Sequence, residues 1–491
     1  MSKYRFCLLA LSAVSAFALR ALDCTPGALQ SLVSSPGNLS TLSVKGQINA
    51  ADLEFIAGSM PALRTLDLGE AEIVKFRTSA TIYPDAVVPA KIFAGAPFTS
   101  VTLPRQQGLI IEEAAFAGAG LTSLTIGSNV KSVGTGAFAG CADLKNVSIS
   151  SPTVYGTDVF NGCTSLTAVN LGDAAEVSAS MFANCPSLTA VSGGEQVVSI
   201  AANAFAGDAA LTSFPFAAAL TSIGEGAFTH SGLKEAQLQG CKALTAIGDR
   251  AFAQAPALRA VTLPSSVKTL GTGIFAMDGA LADLTLSTAI TVIPDYAFTS
   301  TGGVADYKVL HSGVTEIGAY ALKGHSATET LFIPRGVTYI GDHAMEGMTG
   351  LKTVDVSEHT EAPELGSDVW AGVVQADVEL KVGEHMADVF RNAAQWQDFS
   401  IKSPTVLVDD IVAEEQQVKA RFDAYTLEIV SSTVAITRVE LYNTAGQLLT
   451  ALSAESNSVS IDTQSWQENI YIASVTLADG TRATAKLLRL I

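Results

Sequence analysis

A short phrase made of a small residue, a Phe and a small or polar pair recurs every 22 to 24 residues along this chain of 491 residues. A period of that length is one supersecondary unit, so it predicts a solenoid in which each unit stacks on the next. The phrase weakens toward the end of the series but stays in phase, which gives thirteen units. Their anchor residues are Phe93, Phe116, Phe138, Phe160, Phe182, Phe205, Phe228, Phe252, Phe275, Phe298, Leu322, Met345 and Trp370.

The apolar positions between two anchors predict the local structure of a coil. An alternating apolar pattern indicates a short strand, a turn rich in Gly, Pro and Ser follows, and a second short apolar pair precedes the next anchor. Gly248 and Asp249 form a turn whose acid is placed to cap a short helical turn bearing the anchor, with calcium ligation by such acids as the alternative. In the unit that ends at Phe275 the apolar positions are Leu258, Val261, Leu263, Val267 and Leu270.

The front of the stack needs a cap, because an end coil exposes its apolar side. Residues 22–70 are predicted to form this cap and the first repeat. A helix is expected to open at residues 51–53, and a first strand is expected at residues 63–68.

The rear of the stack needs a second cap. Residues 71–401 are predicted to hold the leucine-rich repeats and this cap, with a last strand at residues 380–382 and a helix at residues 387–396. Trp396 and Phe399 are expected to cover the open end of the core.

The unit from Gly134 to Leu144, which reads GTGAFAGCADL, resembles the BspA-like leucine-rich repeat of bacterial cell-surface proteins. Residues 261–275 match the same pattern, and residues 396–399 resemble that family's last coil. The resemblance covers roughly residues 40–401 and repeats in register. It implies a mainly β or α/β leucine-rich-repeat solenoid, a right-handed coil stack with short helical turns. It also implies surface display and adhesion to host or neighbouring-cell proteins.

The end of the chain has a different composition. Residues 402–423 are acidic, lack the repeat and are predicted to be a linker. Short strands alternate with turns over residues 424–491, which predicts a small β-sandwich. This segment resembles the C-terminal sorting domain of the type 9 secretion system, although Asn469-Ile470 stands where that family has Gly before the Tyr of its late strand. The motif residues are Tyr442, Asn443, Gly446, Tyr471, Asp479, Gly480 and Lys486.

The resemblance of the tail implies recognition by the secretion machinery, export across the outer membrane and removal of the tail. An ordinary sandwich domain of the mature protein is the alternative.

Residues 1–21 are predicted to be a signal peptide. Lys3 and Arg5 precede an apolar run that is too short to span a bilayer comfortably, and an A-x-A site places the cut after Ala18 or Ala21. A buried N-terminal helix is the alternative. Signal and tail together predict export across the inner and outer membranes to the cell surface or the extracellular space, without a transmembrane segment in the mature chain.

The charge and the motifs exclude several function classes. A formal net charge of −18 argues against a nucleic-acid partner, because phosphate binding needs clustered Lys and Arg. The sequence contains no HExxH, GxSxG, Walker or CxxC motif, and its six His are not at metal-ligand spacing, so we predict no catalytic residue, no cofactor and no metal. A loose dinucleotide fingerprint at residues 134–139 recurs at residues 271–276, so the repeat explains it.

The cysteines do not form a disulfide framework. Cys141, Cys163 and Cys185 are 22 residues apart and are predicted to be buried free thiols on successive coils, with a disulfide between coils as the alternative. Cys24 offers a weak lipoprotein alternative for the N-terminus.

A candidate partner-binding patch lies on coils nine to thirteen. The position two residues before the anchor is small in most units, but in three successive units it is Tyr296, Tyr320 and His343. Equivalent positions stack in a solenoid, so these side chains are predicted to form a column. The alternative is that large residues fill a less regular stretch, where the anchors drift to Leu322 and Met345. The patch comprises Tyr296, Tyr307, Tyr320, His325, Arg335, Tyr339 and His343.

Three function classes remain. The first is a cell-surface adhesin that binds a protein, cell-surface or extracellular-matrix ligand, the second is a passive structural or coat protein, and the third is an enzyme. The sequence offers no His- or Cys-centred constellation for catalysis. We therefore predict a binding protein rather than an enzyme.

Overall fold

The computed structural model describes residues 21–150, 153–301, 310–383, 386–401, 411–413, 416–423, 426–432, 434–443, 446–462 and 470–488. These residues form two compact units. The first contains the described residues up to Thr328 together with Tyr339–Gly350 and Leu365–Val373, and the second contains the others. The repeats form a β-solenoid of about 16 turns, which confirms the fold class that the repeat predicts.

Most coils begin with a strand of what we call strand ladder 1, although no strand of this ladder lies among the described residues between Ser192 and Glu235. These strands pair in parallel, and residues one period apart are partners: Ser123 pairs with Asn146, and Asn146 pairs with Ala168. Apolar residues at equivalent positions therefore align into columns that share one core. In the first unit the strands are Leu22–Cys24, Thr41–Ile48, Thr65–Ile73, Ser100–Thr102, Ser123–Ile126, Asn146–Ile149, Ala168–Asn170, Ala190–Ser192, Glu235–Gln237, Ala260–Thr262 and Asp283–Thr285.

A second set of shorter parallel strands forms strand ladder 2. Its inward residues are buried, as Ile200, Ile223 and Ile247 show. A further strand, Glu364–Leu365, is divided between the two units. The strands of the first unit are Val87–Val88, Leu109–Ile111, Val130–Val133, Val154–Tyr155, Glu176–Val177, Ser199–Ile200, Ser222–Ile223, Ala246–Ile247, Thr269–Leu270, Val292–Ile293, Glu316–Ile317 and Tyr339–Ile340.

The anchor phrases form a third ladder made of turns, which we call the turn ladder. The backbone N–H groups of the anchor and of the residues two before and two after it donate to carbonyls of the following coil. Phe116 donates to Ala137 at 2.8 Å, and Gly118 donates to Ala139 at 2.7 Å. The anchor rings stack beneath these bonds, with the centroids of Phe116 and Phe138 5.2 Å apart.

The helical turn expected around each anchor is wrong, and so is the expected role of the acid before it. The residue two before the anchor has a left-handed backbone, for example φ 51° at Arg250, and this conformation prevents a helix. The acid instead bonds the following coil: Asp249 Oδ1 accepts the N–H of Thr272 at 2.8 Å. Asp295 Oδ1 accepts the N–H of Ala319 at 2.7 Å in the same way.

A buried carboxylate organises the front cap. The helix Ala50–Ser59 begins after Asn49, and Asp52 on its first turn accepts three backbone N–H bonds. The donors are Gly27 at 2.7 Å, Leu29 at 2.9 Å and Asn49 at 3.0 Å. Asp52 thereby ties the segment before the helix to the helix start.

The first strand of the front cap lies earlier than expected. A first strand was predicted at residues 63–68, but Leu22–Cys24 and Thr41–Ile48 precede Thr65–Ile73 and pair with it in one parallel sheet. Backbone pairing extends the sheet into a segment that lacks the anchor phrase. The other elements here are the helices Leu29–Leu32 and Pro36–Asn38 and the antiparallel pair Phe76–Arg77 and Ile82–Tyr83.

The second unit contains a four-stranded parallel sheet of its own. The last strand is Ser400–Ile401 rather than residues 380–382, because it pairs in parallel with Glu379–Val382. The predicted helix ends early, at Arg391. Trp396 is buried and donates its ring N–H to the carbonyl of Pro363 at 2.9 Å. The elements are Thr330–Phe332, Thr353–Val356, Gln375–Asp377, Glu379–Val382, Ala387–Arg391, Trp396–Asp398 and Ser400–Ile401.

The tail of the second unit is a β-sandwich of two antiparallel four-stranded sheets that share a core. It begins before residue 424, the boundary expected from the sequence, because Gln416–Asp423 pairs with Thr426–Ser431 and places Val418 and Ala420 in the core. The strand order is Ile411–Ala413, Gln416–Asp423, Thr426–Ser431, Ser458–Asp462 in one sheet and Leu448–Ser456, Ile436–Asn443, Ile470–Leu477, Arg482–Leu488 in the other.

A polar column runs through the solenoid core, three residues after each anchor. Cys141 Sγ donates to the carbonyl of Phe116 at 3.3 Å, and Cys163 does the same to Phe138 at 3.4 Å. These thiols and that of Cys185 are free and buried. The side chain at this position therefore satisfies the anchor carbonyl of the preceding coil.

Two acids occupy the same column. Asp208 Oδ1 accepts the N–H of Cys185 at 2.9 Å, and Asp278 Oδ1 accepts the N–H of Ala255 at 2.8 Å. The second oxygen of each carboxyl is buried and has no hydrogen-bond partner among the described residues. Burial raises the pKa of each carboxyl from 3.8 to about 8.

We expect these acids to make the solenoid less stable as pH rises from about 4 to about 8. In this window the folded chain keeps protons that the unfolded chain releases, which costs about 1.4 kcal/mol per pH unit for each group, and below it the effect is absent. Asp208→Asn, which keeps the hydrogen bond from the N–H of Cys185 without a charge, should raise the free energy of unfolding by about 2–4 kcal/mol near pH 7.5 and change it little near pH 4.

Urea unfolding of the full chain at both pH values measures this difference. Asp295→Asn, at an exposed acid of the turn ladder, is the matched control for the substitution itself. A pH-independent effect of Asp208→Asn would mean that the buried carboxyl is not protonated in the folded chain.

Candidate functional site

Three aromatic side chains stack along the outer edge of the turn ladder, and we call them the aromatic stack: Tyr296, Tyr320 and His343. The ring centroids of Tyr296 and Tyr320 are 4.8 Å apart, with 8° between their planes. Those of Tyr320 and His343 are 4.9 Å apart, with 10° between planes. They occupy the position two before the anchor in successive coils, so the spacing follows from the coil repeat.

The backbone at this position explains why it is small or polar elsewhere. Its φ is 57° at Tyr296, 58° at Tyr320 and 55° at His343, in the left-handed region that favours Gly. Gly136 and Asn203 hold the same position with φ 60° and 56°. A bulky side chain in this conformation is unfavourable by about 1 kcal/mol or more, so local backbone preference does not account for three aromatic residues in a row.

Charged groups flank the aromatic stack. Lys323 Nζ lies 5.1 Å from the ring centroid of Tyr320, within cation–π range. The same ammonium pairs with Glu346 at 2.9 Å, and Glu346 lies 3.2 Å from Nδ1 of His343. The rings and their charged neighbours thus form one connected surface on three coils.

The structure does not bring all predicted patch residues to this surface. His325 is buried in the polar column of the core, where its Nε2 lies 2.7 Å from the carbonyl of Phe298, so its place in the patch is wrong. Tyr339 lies on strand ladder 2 and pairs with Glu316. Arg335 is exposed in the second unit after the strand Thr330–Phe332. Tyr307 lies outside the described residues.

A groove that the sequence did not reveal adjoins the aromatic stack. Its volume is about 410 Å³, within the usual range for ligand sites. Glycines at the position two before the anchor create it, because long side chains hold that position in the neighbouring coils. Alternation of Gly with large residues at this position was the available signal. Its walls include Gly226, Arg250, Gln254, Gly273, Met277 and Tyr296.

The motif residues of the tail have structural roles in the sandwich. Asn443 Oδ1 accepts the N–H of Gln447 at 2.9 Å and closes a turn in which Gly446 has φ 78°. Asp479 Oδ1 accepts the N–H of Thr481 at 2.9 Å, and Gly480 has φ 85°.

The remaining motif residues lie on strands. Tyr471 is buried in the core, and the Tyr442 hydroxyl donates to Glu440 Oε2 at 3.2 Å. Lys486 lies in the strand Arg482–Leu488 and pairs with Ile472, but its side chain is outside the described part of the chain.

In the part of the chain that the structure describes, no group of three or more His, Cys, Asp or Glu side chains is placed to hold a metal ion. Within the same residues, we find no helix with the length and apolar character needed to cross a membrane.

The repeats match a known family. The family described as the BspA type leucine rich repeat region, which comprises six repeat copies, matches residues 86–212, 198–328 and 245–372. These overlapping matches cover more than half of the chain, and the chain therefore belongs to the BspA-type leucine-rich-repeat family. No curated protein matches it significantly.

Several solved structures are similar to this chain. A leucine-rich repeat protein from Bacteroides ovatus is 17% identical with a TM-score of 0.49, and the match covers 74% of this chain and 87% of that one. A leucine rich cell surface protein from Faecalibacterium prausnitzii is 23% identical with a TM-score of 0.32, covering 57% and 85%. The pneumococcal vaccine antigen PcpA is 14% identical with a TM-score of 0.30, covering 74% and 79%.

Proposed function

We propose that this chain is an exported cell-surface adhesin that binds a protein or extracellular-matrix ligand through the aromatic stack. The observation that carries the proposal is that three aromatic residues occupy consecutive left-handed positions at the edge of the solenoid. Membership of the BspA-type family supports a binding role, since stacked repeats create extended recognition surfaces.

The aromatic stack has the properties of a binding hot spot. Tyr296 is 43% exposed although it is a large aromatic residue, and the coils beneath it are fixed by backbone hydrogen bonds. Tyr side chains bury much area at low entropic cost and still form hydrogen bonds, which is why they are enriched in such hot spots. Lys323 and Glu346 add charges at the rim.

Strand ladder 1 offers less to a partner. Several Thr residues that immediately precede its strands already donate their hydroxyls to the backbone of the preceding coil, as Thr122 does to Thr99 at 3.0 Å and Thr189 does to Thr167 at 3.1 Å. These side chains satisfy the solenoid's own carbonyls and lack large apolar surface. A ligand that binds this ladder would have to rely on weaker contacts.

We expect Tyr296→Ala combined with Tyr320→Ala to weaken ligand binding by about 2 kcal/mol or more, because the change removes the central rings of the surface. The measurement is surface plasmon resonance of the full chain against immobilised fibronectin, laminin, fibrinogen and collagen. Ala is compatible with this backbone, since Ala114 adopts φ 51° at the equivalent position.

Tyr339→Ala provides the matched control, because this Tyr lies on strand ladder 2 and not in the aromatic stack. The affinity of the Tyr339→Ala variant for the matrix protein should equal that of the unchanged chain. Saturable binding that the double variant retains would place the ligand elsewhere, and no saturable binding to any matrix protein would favour a passive coat protein.

The sorting role of the tail is the second part of the proposal. The tail is a sandwich with its own core, and hydrogen bonds from Gln447 to Asn443 and from Thr481 to Asp479 give two of the motif residues structural roles. The resemblance to the type 9 sorting domain supports recognition of this sandwich by the secretion machinery, after a signal peptide at residues 1–21 has directed export across the inner membrane.

Deletion of residues 411–491, the whole sandwich, should leave the protein in the periplasm, because the proposed export address is lost while the repeats and their caps remain. Cell fractionation, with surface proteolysis of intact cells, measures the distribution. The full chain is the control and should be cut at the surface. Normal surface display of the truncated protein would contradict the sorting role.

A further inference from the structure

The aromatic stack ends at Tyr296. In the preceding coil, the equivalent position two before the anchor has no side chain. That position is Gly273, which has φ 62°, close to the φ of 57° at Tyr296. A Cβ placed at Gly273 would lie 3.8 Å from the Cβ of Tyr296 and 3.5 Å from the Cγ of Arg250, so a side chain has room there. The outer face of the Tyr296 ring therefore borders an open slot.

The other walls of the slot suit a flat ring. Arg250 stands one coil before Gly273 at the equivalent position, and its side chain is exposed. Met277 lies in the same coil as Gly273 and is 57% exposed, with its sulfur 3.3 Å from Gln254 Nε2. Tyr, Arg and Met each interact favourably with aromatic rings, through stacking, cation–π and sulfur contacts.

We propose that the Gly273 slot binds an aromatic side chain of the partner protein, with a carboxylate of the same partner segment paired to Arg250. This inference rests on the proposed binding function and specifies the residue that the ligand presents. The bound ring extends the aromatic stack by one coil, parallel to Tyr296 and opposite Arg250.

Charge supports the carboxylate in this proposal. Among the residues that the structure describes, no acid lies within ion-pair distance of the Arg250 guanidinium. This holds for Glu225 as well, although Glu225 also lines the groove. An exposed Arg in that state forms a charge-assisted bond with an incoming carboxylate. An aliphatic side chain would gain neither the stacking nor the cation–π contact.

The test uses defined probes with the full-length protein. N-acetyl-Glu-Trp-amide is titrated by saturation-transfer NMR beside N-acetyl-Gln-Trp-amide and N-acetyl-Glu-Leu-amide. We expect the Glu-Trp probe to bind most tightly and the Glu-Leu probe to bind about tenfold more weakly. Equal binding of the Trp and Leu probes would overturn the aromatic slot.

Gly273→Tyr fills the slot with the ring that the stack lacks and should weaken Glu-Trp binding about tenfold. The change is compatible with the fold, because Tyr296 and Tyr320 already hold Tyr in this backbone conformation. Gly136→Tyr is the matched control, since Gly136 has φ 60° at the equivalent position and its added Cβ would meet only Ala139, at 3.7 Å. If Gly273→Tyr does not melt cooperatively, Tyr296→Leu removes the ring face instead and should give the same loss.

Arg250→Gln should abolish the preference for the Glu-Trp probe over the Gln-Trp probe, and should weaken binding of the Gln-Trp probe only severalfold, through the lost cation–π contact. A preference that survives this change would overturn the role of Arg250. Methyl β-galactoside and chitobiose are titrated in parallel, and saccharide binding that Gly273→Tyr abolishes, without peptide binding, would overturn the proposal in favour of a carbohydrate site.

These outcomes are separate from those of the matrix-protein experiment. Matrix binding that depends on Tyr296 and Tyr320 but is unaffected by Gly273→Tyr would overturn the slot and leave the adhesin function intact. Binding of the Glu-Trp probe at the slot without binding to any matrix protein would overturn the choice of matrix proteins as ligands. It would leave the proposal for the Gly273 slot intact.

Discussion

The coil-to-coil hydrogen bonds of the turn ladder are the constraint on which the rest of the solenoid depends. They require the residue two before each anchor to adopt a left-handed backbone, so that alternate N–H groups point toward the following coil. This geometry fixes the separation of the anchor rings at 5.2 Å between Phe116 and Phe138 and 5.6 Å between Phe138 and Phe160. Every other position of the coil is then held at nearly the same separation from its equivalent.

Because the coils are held at a fixed separation, side chains at equivalent positions of successive coils form columns. The burial of each column determines its role. Three residues after the anchor the column is buried, so Cys163, Asp208 and His325 all serve to satisfy backbone groups of the preceding coil. Two residues before the anchor the column is at the surface, so Tyr320 and His343 stack and remain accessible. The same period thus produces a structural column and the surface column that we propose as the binding site.

The sequence was sufficient for the solenoid and for the stacking of Tyr296 on Tyr320, because both follow from the period alone. The sequence did not reveal why the residue two before the anchor is usually small, since the left-handed φ of this residue depends on hydrogen bonds between coils. His325 was misplaced for a related reason: it shares the column of Cys141, and that register, rather than its polarity, determines burial. The early start of the sandwich at Ile411 was hidden because strand pairing there needs no repeat.

The location of the proposed site follows from how each ladder uses its polar groups. Strand ladders 1 and 2 consume their backbone bonds in parallel pairing, and hydroxyls such as that of Thr167 are consumed by the carbonyl of Lys145. The turn ladder also satisfies its backbone, but its left-handed positions project side chains that make no contribution to the core. Selection can vary these side chains without disturbing the coil, provided that the backbone strain is tolerated. A run of Gly273, Tyr296 and Tyr320 on such a ladder combines an empty position with a ring face, and that combination is what a partner's side chain can recognise.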